Sequence, residues 1–322
     1  MKYIGIPYLI FFAVLAVFLP RFLSVHEETK PQATPVTLLF VGDIMLARAV
    51  ETRMEALGTA YPFAKVEELL TAPDITIGNF EGIVSEPHVP TRSMEFRFSV
   101  RSEYLRAVEN AGFDILSLAN NHSADFGEDA VRLTKTLCDA TDLRCAGTAQ
   151  QPEVFIENIN GRRIGFLFVH TTWNTQSVEV LRERMRSLAI ESDVQVAYIH
   201  WGEEYALVHN ATQEALAHAL IDAGADAVIG HHPHVVQDVG VYNGKPIFYS
   251  LGNFVFDQYW NDDVQTGLGV EMTINDDSIT YRAIPFFATE HAQPALMEGE
   301  RVSQLFQRIM GPGASSTMIA IP

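Results

Sequence analysis

Three histidines, His231, His232 and His234, crowd around Pro233 at the start of the stretch IGHHPHVVQDVGVYNGKPIFYSLGNFVFD, Ile229 to Asp257. Neutral imidazole is the commonest metal ligand in proteins. The rings follow the short apolar run Ala227-Val228-Ile229, which reads as a buried strand and places them just past its end. A polar turn holding histidines by chance is the alternative, and the density of the cluster favours a site. The pattern recurs along the chain. Val36 to Val41 opens into Gly42-Asp43, Asp74 to Ile77 into Gly78-Asn79-Phe80-Glu81, Phe113 to Leu118 into Asn120-Asn121-His122 with Asp125 beyond, and Val194 to Ile199 into His200 with Glu203-Glu204. Taken singly, each has a structural reading: Asp43 as a helix N-cap, Asn79 as a turn residue bonded to its own backbone. Taken together they converge, because strand ends of one sheet share one rim. Carboxylate, amide oxygen and imidazole suit borderline divalent ions such as Mn, Fe or Zn. Two such ions side by side are the usual clamp for hydrolysing a phosphoester.

The elements that must position these residues are legible from periodicity. Helices are expected over residues 48 to 57, Tyr61 to Leu70, Arg101 to Ala111, Glu128 to Leu137, part of Trp173 to Ala189, and Thr212 to Ala223, the last closed by Gly224. Residues 83 to 99, with Pro87 and Pro90, read as an irregular excursion. Asn160-Gly161 and Asn243-Gly244 are hairpin turns. Gly267 to Ile274 and Ser278 to Phe287 alternate as an antiparallel pair, and a short helix, Glu298 to Ile309, precedes a Gly/Pro/Ser-rich tail. Strand-turn-helix units come first and hairpins crowd the second half, so the body is one α/β domain with mixed sheets.

The 322 residues are 48% hydrophobic and 19% charged, which describes an ordered globular protein. A formal net charge of −18 argues against nucleic acid, whose affinity comes from Lys and Arg on phosphates. It equally disfavours adhesion of the folded body to anionic lipid. The apolar run Ile4 to Leu19, between Lys2 and Arg21, is long for a signal peptide and near the lower limit for a membrane span. We expect an uncleaved signal anchor over residues 1–24, a cleaved signal peptide being the alternative. A polar tether over 25–35, a body over 36–290 and a short helix and tail over 291–322 follow. The body is then extracytoplasmic on a single-pass anchor, or secreted if the anchor is cleaved. Cys138 and Cys145 form a disulfide in that compartment, or remain two buried thiols.

The motifs Gly42-Asp43-Ile44-Met45-Leu46, Gly78-Asn79-Phe80-Glu81-Gly82 and Ser117-Leu118-Ala119-Asn120-Asn121-His122 resemble those of a known family. So do His200-Trp201-Gly202-Glu203-Glu204-Tyr205, Gly230-His231-His232-Pro233-His234 and Tyr249-Ser250-Leu251-Gly252-Asn253-Phe254. The family is the CapA family of poly-γ-glutamate capsule biosynthesis proteins, within the calcineurin-like metallophosphoesterase superfamily, and the resemblance spans Val36 to Phe287. It implies a four-layer α/β/β/α sandwich with two mixed sheets and a site at the rim between them. It also implies Asp43, Asn121, His200, His232 and His234 as ligands of one or two divalent ions, with His122 as general acid. The chain departs from the superfamily in having Met45 where a histidine is expected and Asn79 where a bridging aspartate is expected; Glu81 is the candidate substitute bridge.

His231, Glu204, Asp125 and Asn253 lie in or beside the same motifs and are further candidates. Arg48 and Arg97 are candidates to clamp an anionic group, or are surface arginines; Trp201 and Tyr205 line the pocket or the core, and Met45 is packing. The function implied by the resemblance is poly-γ-glutamate (or related anionic polymer) synthesis and export beside the polymer synthase subunits, with a hydrolase-type metal site. Two alternatives stand: a non-catalytic scaffold for the synthase, and a phosphodiesterase or phosphatase acting on envelope phosphoesters.

Overall fold

The computed structural model describes Met1 and residues 34–92, 95–173, 176–288, 292–312 and 318–319. The chain divides into two units, Met1–Gln32 and Ala33–Pro322, and the strands and helices of the described residues lie in the second. Apart from Met1, the expected anchor lies outside the described residues, as does the tether up to residue 33. Among the described residues no helix is long and apolar enough to cross a membrane.

Strand β1 (Val36–Ile44) leads through α1 (Arg48–Leu57) and α2 (Glu67–Thr71) to β2 (Ile75–Phe80). The short strands β3 (Ile83–Val84) and β4 (Ser99–Val100) precede α3 (Glu103–Asn110), β5 (Ile115–Ser117), α4 (Gly127–Asp139) and β6 (Arg144–Ala146). A hairpin of β7 (Glu153–Ile159) and β8 (Arg162–His170) opens the second half. It continues with α5 (Val178–Glu191), β9 (Val194–His200), α6 (Ala211–Asp222) and β10 (Ala227–His231). A second hairpin joins β11 (Val239–Tyr242) to β12 (Lys245–Phe248), and β13 (Asn253–Val255) and α7 (Asp262–Gln265) come next. The remaining elements are β14 (Thr266–Ile274), β15 (Ile279–Ala288), β16 (Pro294–Leu296), α8 (Glu300–Met310) and β17 (Met318–Ile319).

Period-two alternation in the buried strands makes the layers. In β1, Leu39 and Val41 face a core shared with Val50 and Met54 of α1, Leu105 and Val108 of α3 and Cys138 of α4. Leu38 and Phe40 face the opposite way, into a core with Phe166, Val196, Tyr198 and Ile229 of the other sheet. Ala197, Ile199 and Val228 turn outward from that sheet onto Leu181 and Met185 of α5 and Leu216 and Leu220 of α6. Three cores therefore separate four layers, helix, sheet, sheet, helix, as the resemblance implies. One sheet has nine strands in the order β16-β15-β14-β1-β2-β5-β6, with β13 added to β1 and β17 to β15; the other has six, β11-β12-β10-β9-β8-β7. Both are mixed: β1, β2, β5 and β6 are parallel while β14 and β15 are antiparallel. β8, β9, β10 and β12 are parallel between antiparallel edges.

The two hairpin turns take the left-handed backbone their sequences favour, with Asn160 and Gly161 at φ 52° and 82° and Asn243 and Gly244 at 47° and 72°. The run Tyr61 to Leu70 is not one helix. It is a 3₁₀ turn, Tyr61–Phe63, and then α2, interrupted where β-branched Val66 is buried at φ −127° and ψ 7°. The excursion at 83–99 carries order of its own, because β3 and β4 pair in parallel. Cys138 and Cys145 form a disulfide that ties the end of α4 to β6, with Cα atoms 5.9 Å apart. Helix α8, beyond the boundary expected at residue 290, buries Leu305, Phe306 and Ile309 in the core between the sheets.

Candidate metal centre

Strand register lays out two rows of polar residues on one rim. In the nine-stranded sheet Asp43 pairs with Asn79 of β2 and Asn253 of β13. In the six-stranded sheet His170, His200 and His231 pair across β8, β9 and β10. All six are buried. The close approach of β1 to the turn before β13 needs Gly42, since a Cβ there would lie 1.8 Å from the Gly252 carbonyl oxygen. Asp43 is thus a residue inside a strand; the N-cap of α1 is Ala47.

The turn after β10 joins the rows. His232 and His234 take left-handed backbone, φ 98° and 59°, which costs a non-glycine residue about 1–3 kcal/mol. The backbone N–H of His232 donates to Asp43 Oδ2 at 3.3 Å, and His234 Nδ1 lies 3.2 Å from the same oxygen and 3.0 Å from Asn253 Oδ1. Asp43 Oδ1 accepts from Asn79 Nδ2 at 2.8 Å. The Asn79 side-chain oxygen is itself taken by Asn120 Nδ2 at 3.1 Å, so the amide turns its donor to Asp43 and to His200 Nδ1, 3.3 Å away. His200 Nδ1 therefore acts as an acceptor. Its second nitrogen, Nε2, then donates to Asn121 Oδ1 at 2.9 Å. His231 Nδ1, 2.9 Å from His200 Nδ1, must be the donor in that pair, which leaves a lone pair on His231 Nε2.

That lone pair has no partner. Neither do His232 Nδ1 and both oxygens of Glu81, all buried. Glu81 Oε1 stands 3.6 Å from His234 Nε2 and 3.7 Å from His122 Nε2. Buried polar groups are normally bonded, and an orphaned carboxylate among imidazoles is what a cation site looks like without its ion. Three overlapping groups have one donor per residue within 4.8 Å of one another: Asp43, His200 and His231; Asp43, Glu81 and His234; and Glu204, His232 and His234. The donor set fits a borderline divalent ion.

Electrostatics agree. Burial alone would raise the Asp43 carboxyl, but the hydrogen bond and charge of His234 and the charge of His231 hold it below its usual range. Burial, helped by the Asp43 charge, pushes Glu81 well above the ordinary carboxylate range. Burial lowers His231 and His232 to about 3 and holds His200 well below the usual imidazole value, keeping these rings neutral. Burial also opposes the charged form of His234, yet the carboxylates of Glu81 and Asp43 outweigh it and raise that ring to about 9.

Asp43, Asn79, Glu81, Asn121, His200, His231, His232, His234 and Asn253 therefore meet at one place, with exposed Glu204 at its mouth. His122 stands beside Glu81 with Nδ1 on Asp125 Oδ2 at 2.9 Å, so Asp125 orients a histidine from behind. Arg48 is not free to clamp an anion: it pairs with Asp257 and lies between the rings of Phe98 and Phe256, 4.9 and 5.6 Å away. Arg97 donates to the Asp125 carbonyl and covers Phe126. Trp201 is core, donating to the Tyr249 carbonyl, while Tyr205 is exposed 6.0 Å from His234. Met45 is fully buried, and its sulfur accepts from the Ala47 N–H at 3.1 Å.

Sequence reasoning passed over Asn120, which sets the direction of Asn79, although it sits beside Asn121 in the same motif. It also passed over His170, whose ring is 5.4 Å from His200 at a strand end of the same kind. Asp257, Phe98 and Phe256 carried no signal in spacing. Phe98 stacks 4.1 Å from His122 and Phe256 4.8 Å from His234.

Residues 37–258 match the family model described as bacterial capsule synthesis protein PGA_cap. The capsule biosynthesis protein CapA of Bacillus anthracis is 33% identical over 286 residues, covering 80% of this chain and 69% of that protein. The PGA biosynthesis protein CapA of Bacillus subtilis (strain 168) is 35% identical over 240 residues, covering 69% and 63%. A probable polyglutamine synthesis accessory protein of Mycobacterium tuberculosis is 24% identical over 247 residues, covering 67% and 65%. Among solved structures, a hypothetical protein from Thermus thermophilus superposes with a TM-score of 0.51 at 16% identity, covering 78% of this chain and 99% of that one. That likeness concerns the fold.

Proposed function

Because this chain belongs to the bacterial capsule synthesis protein family PGA_cap, we propose that it serves the synthesis or export of poly-γ-glutamate, or a related anionic polymer, through a metal-dependent hydrolase-type site. The observation that carries the metal is Glu81, a fully buried carboxylate with neither oxygen bonded. Asp43, Glu81, Asn121, His200, His232 and His234 would hold one or two divalent ions, with His231 and Glu204 in reach. The group would polarise a scissile oxygen and supply hydroxide near neutral pH. His122 has its Nδ1 proton directed to Asp125, and when protonated its Nε2 is placed to donate to a leaving group.

The body is extracytoplasmic in this reading, anchored by the apolar N-terminal run. The Cys138–Cys145 disulfide supports it, since such bonds persist in oxidising compartments. The accessory role named for the mycobacterial relative supports a synthase as partner. A non-catalytic scaffold is the second reading. Met45 in place of a ligand and the Asn79 oxygen spent on Asn120 favour it.

Elemental analysis of the purified chain, made without an affinity histidine tag, separates the two. About two equivalents of a transition metal, lost together with polymer output in His200→Ala, is the expected result. Polymer output unchanged in folded His200→Ala sinks the hydrolase and leaves the scaffold.

A further inference from the structure

From the excursion after β3, through β4, to α1 runs a chain of nucleophile, base and acid that shares no residue with the rim site. Ser85 Oγ lies 2.7 Å from Ser99 Oγ, Ser99 Oγ lies 2.8 Å from His88 Nδ1, and His88 Nε2 lies 2.7 Å from Glu51 Oε1. Proton directions along this chain follow from the neutral form of His88. With Glu51 accepting, the neutral imidazole of His88 carries its proton on Nε2 and offers a lone pair at Nδ1, the form in which it can act as a base. Ser99 must then donate to His88, and Ser85 must donate to Ser99. The Ser85 proton is thereby drawn inward while its remaining lone pair is left for the cavity beyond. Arg101 Nε donates to the same Glu51 oxygen at 2.7 Å. Glu51, Ser85 and Ser99 are all buried.

Ser85 and His88 line a cavity of about 550 Å³ whose other wall is Arg101, Ser102 and Glu103. Ser102, the N-cap of α3, makes no side-chain capping bond, and the N–H groups that follow bond within the turn, Tyr104 to the Arg101 carbonyl and Leu105 to the Ser102 carbonyl. Nucleophile and base thus face one space, with the relaying Ser99 and the orienting Glu51 behind them. Glu86 and Glu103 line it too and repel a polyanion, which points away from the carboxylate-bearing polymer.

We propose that Ser85 is the nucleophile of a second, acyl-transferring site on this chain, taking a small uncharged carboxylic ester or amide. The Ser85 oxygen bonds to the acyl carbon as its proton passes to Ser99 and the Ser99 proton passes to His88. The carbon–oxygen or carbon–nitrogen bond to the leaving group breaks. The proton returns through the same relay to the departing alkoxide or amine. Water then attacks the acyl-Ser85 carbon, releasing the carboxylic acid and restoring the serine hydroxyl.

The test uses the full chain, a fluorophosphonate probe and p-nitrophenyl acetate. The probe is expected to add once, at Ser85 by peptide mass spectrometry, and to add equally after EDTA, so the result is independent of any metal at the rim. Ser85→Ala abolishes labelling. Ser99→Ala, which breaks the relay but leaves His88 and Glu51 paired, slows it by about 100-fold; the Ser99 variant is chosen because His88→Gln removes a buried tie and can unfold the chain. Unlabelled wild-type protein, a label on another residue, or acetate-ester hydrolysis at the wild-type rate in Ser85→Ala would each overturn the proposal and leave the network as a tie between α1 and β4.

Discussion

Glu81 is the residue at which the proposed metal is most directly tested, since neither of its buried oxygens is bonded. Unbonded buried polar groups cost about 1–3 kcal/mol each, and a cation between Glu81 and the histidines removes that cost. Glu81→Gln is therefore expected to raise the melting temperature of the stripped protein and to shrink the increase produced by adding Mn. An equal Mn-dependent increase in both proteins would show that Glu81 is not at the ion. Arg48 makes a second case. Its guanidinium and the Asp257 carboxylate are each 7% exposed, so Asp257→Ala leaves a buried charge unpaired, at about 3–5 kcal/mol. Urea unfolding reads this directly, and a loss below about 1 kcal/mol, the surface-pair range, would mean that solvent screens the pair. The ligand candidates were legible because each follows its own short apolar strand. The roles of Asn120 and Asp257 were not, because an amide's direction and an arginine's partner are tertiary facts: Asp257 stands 209 residues from Arg48.

The elements that matched expectation best are those with strong local chemistry, such as α1 over 48–57 and the two Asn-Gly hairpins. Where burial of one side chain overrode the amphipathic pattern, at Val66, the expected helix broke in two. The cysteines show a different limit. Seven residues of separation allowed a bond or two thiols, and only the placement of α4 against β6 brings the pair together. Closing so short a loop stabilises by about 2.5 kcal/mol on loop entropy alone. The Cys138→Ser, Cys145→Ser double variant should lose about that much in urea, and wild type in reductant should match it. No difference between oxidised and reduced wild type would mean that the α4–β6 contact holds without the bond.

At the scale of the whole molecule, the four layers follow from strands buried on both faces, and the rim follows from register. Helix α8 reads in the sequence as an appendage because it is short and precedes a Gly/Pro/Ser tail; in fact Phe306 is fully buried between the sheets. The rim also bears on folding, before any chemistry. Asp43 lies on β1 of one sheet and His232 in the turn after β10 of the other, 189 residues apart in sequence. An ion gripping both is a reversible staple across more than half the chain, and the entropy it removes from the unfolded state grows with the logarithm of that span. Stripping it should let the sheets breathe separately: amide exchange at the ends of β9 and β10 quickens while the long β14–β15 ladder keeps its protection. On the proposed reading, the ion would be a hinge pin as well as a reagent.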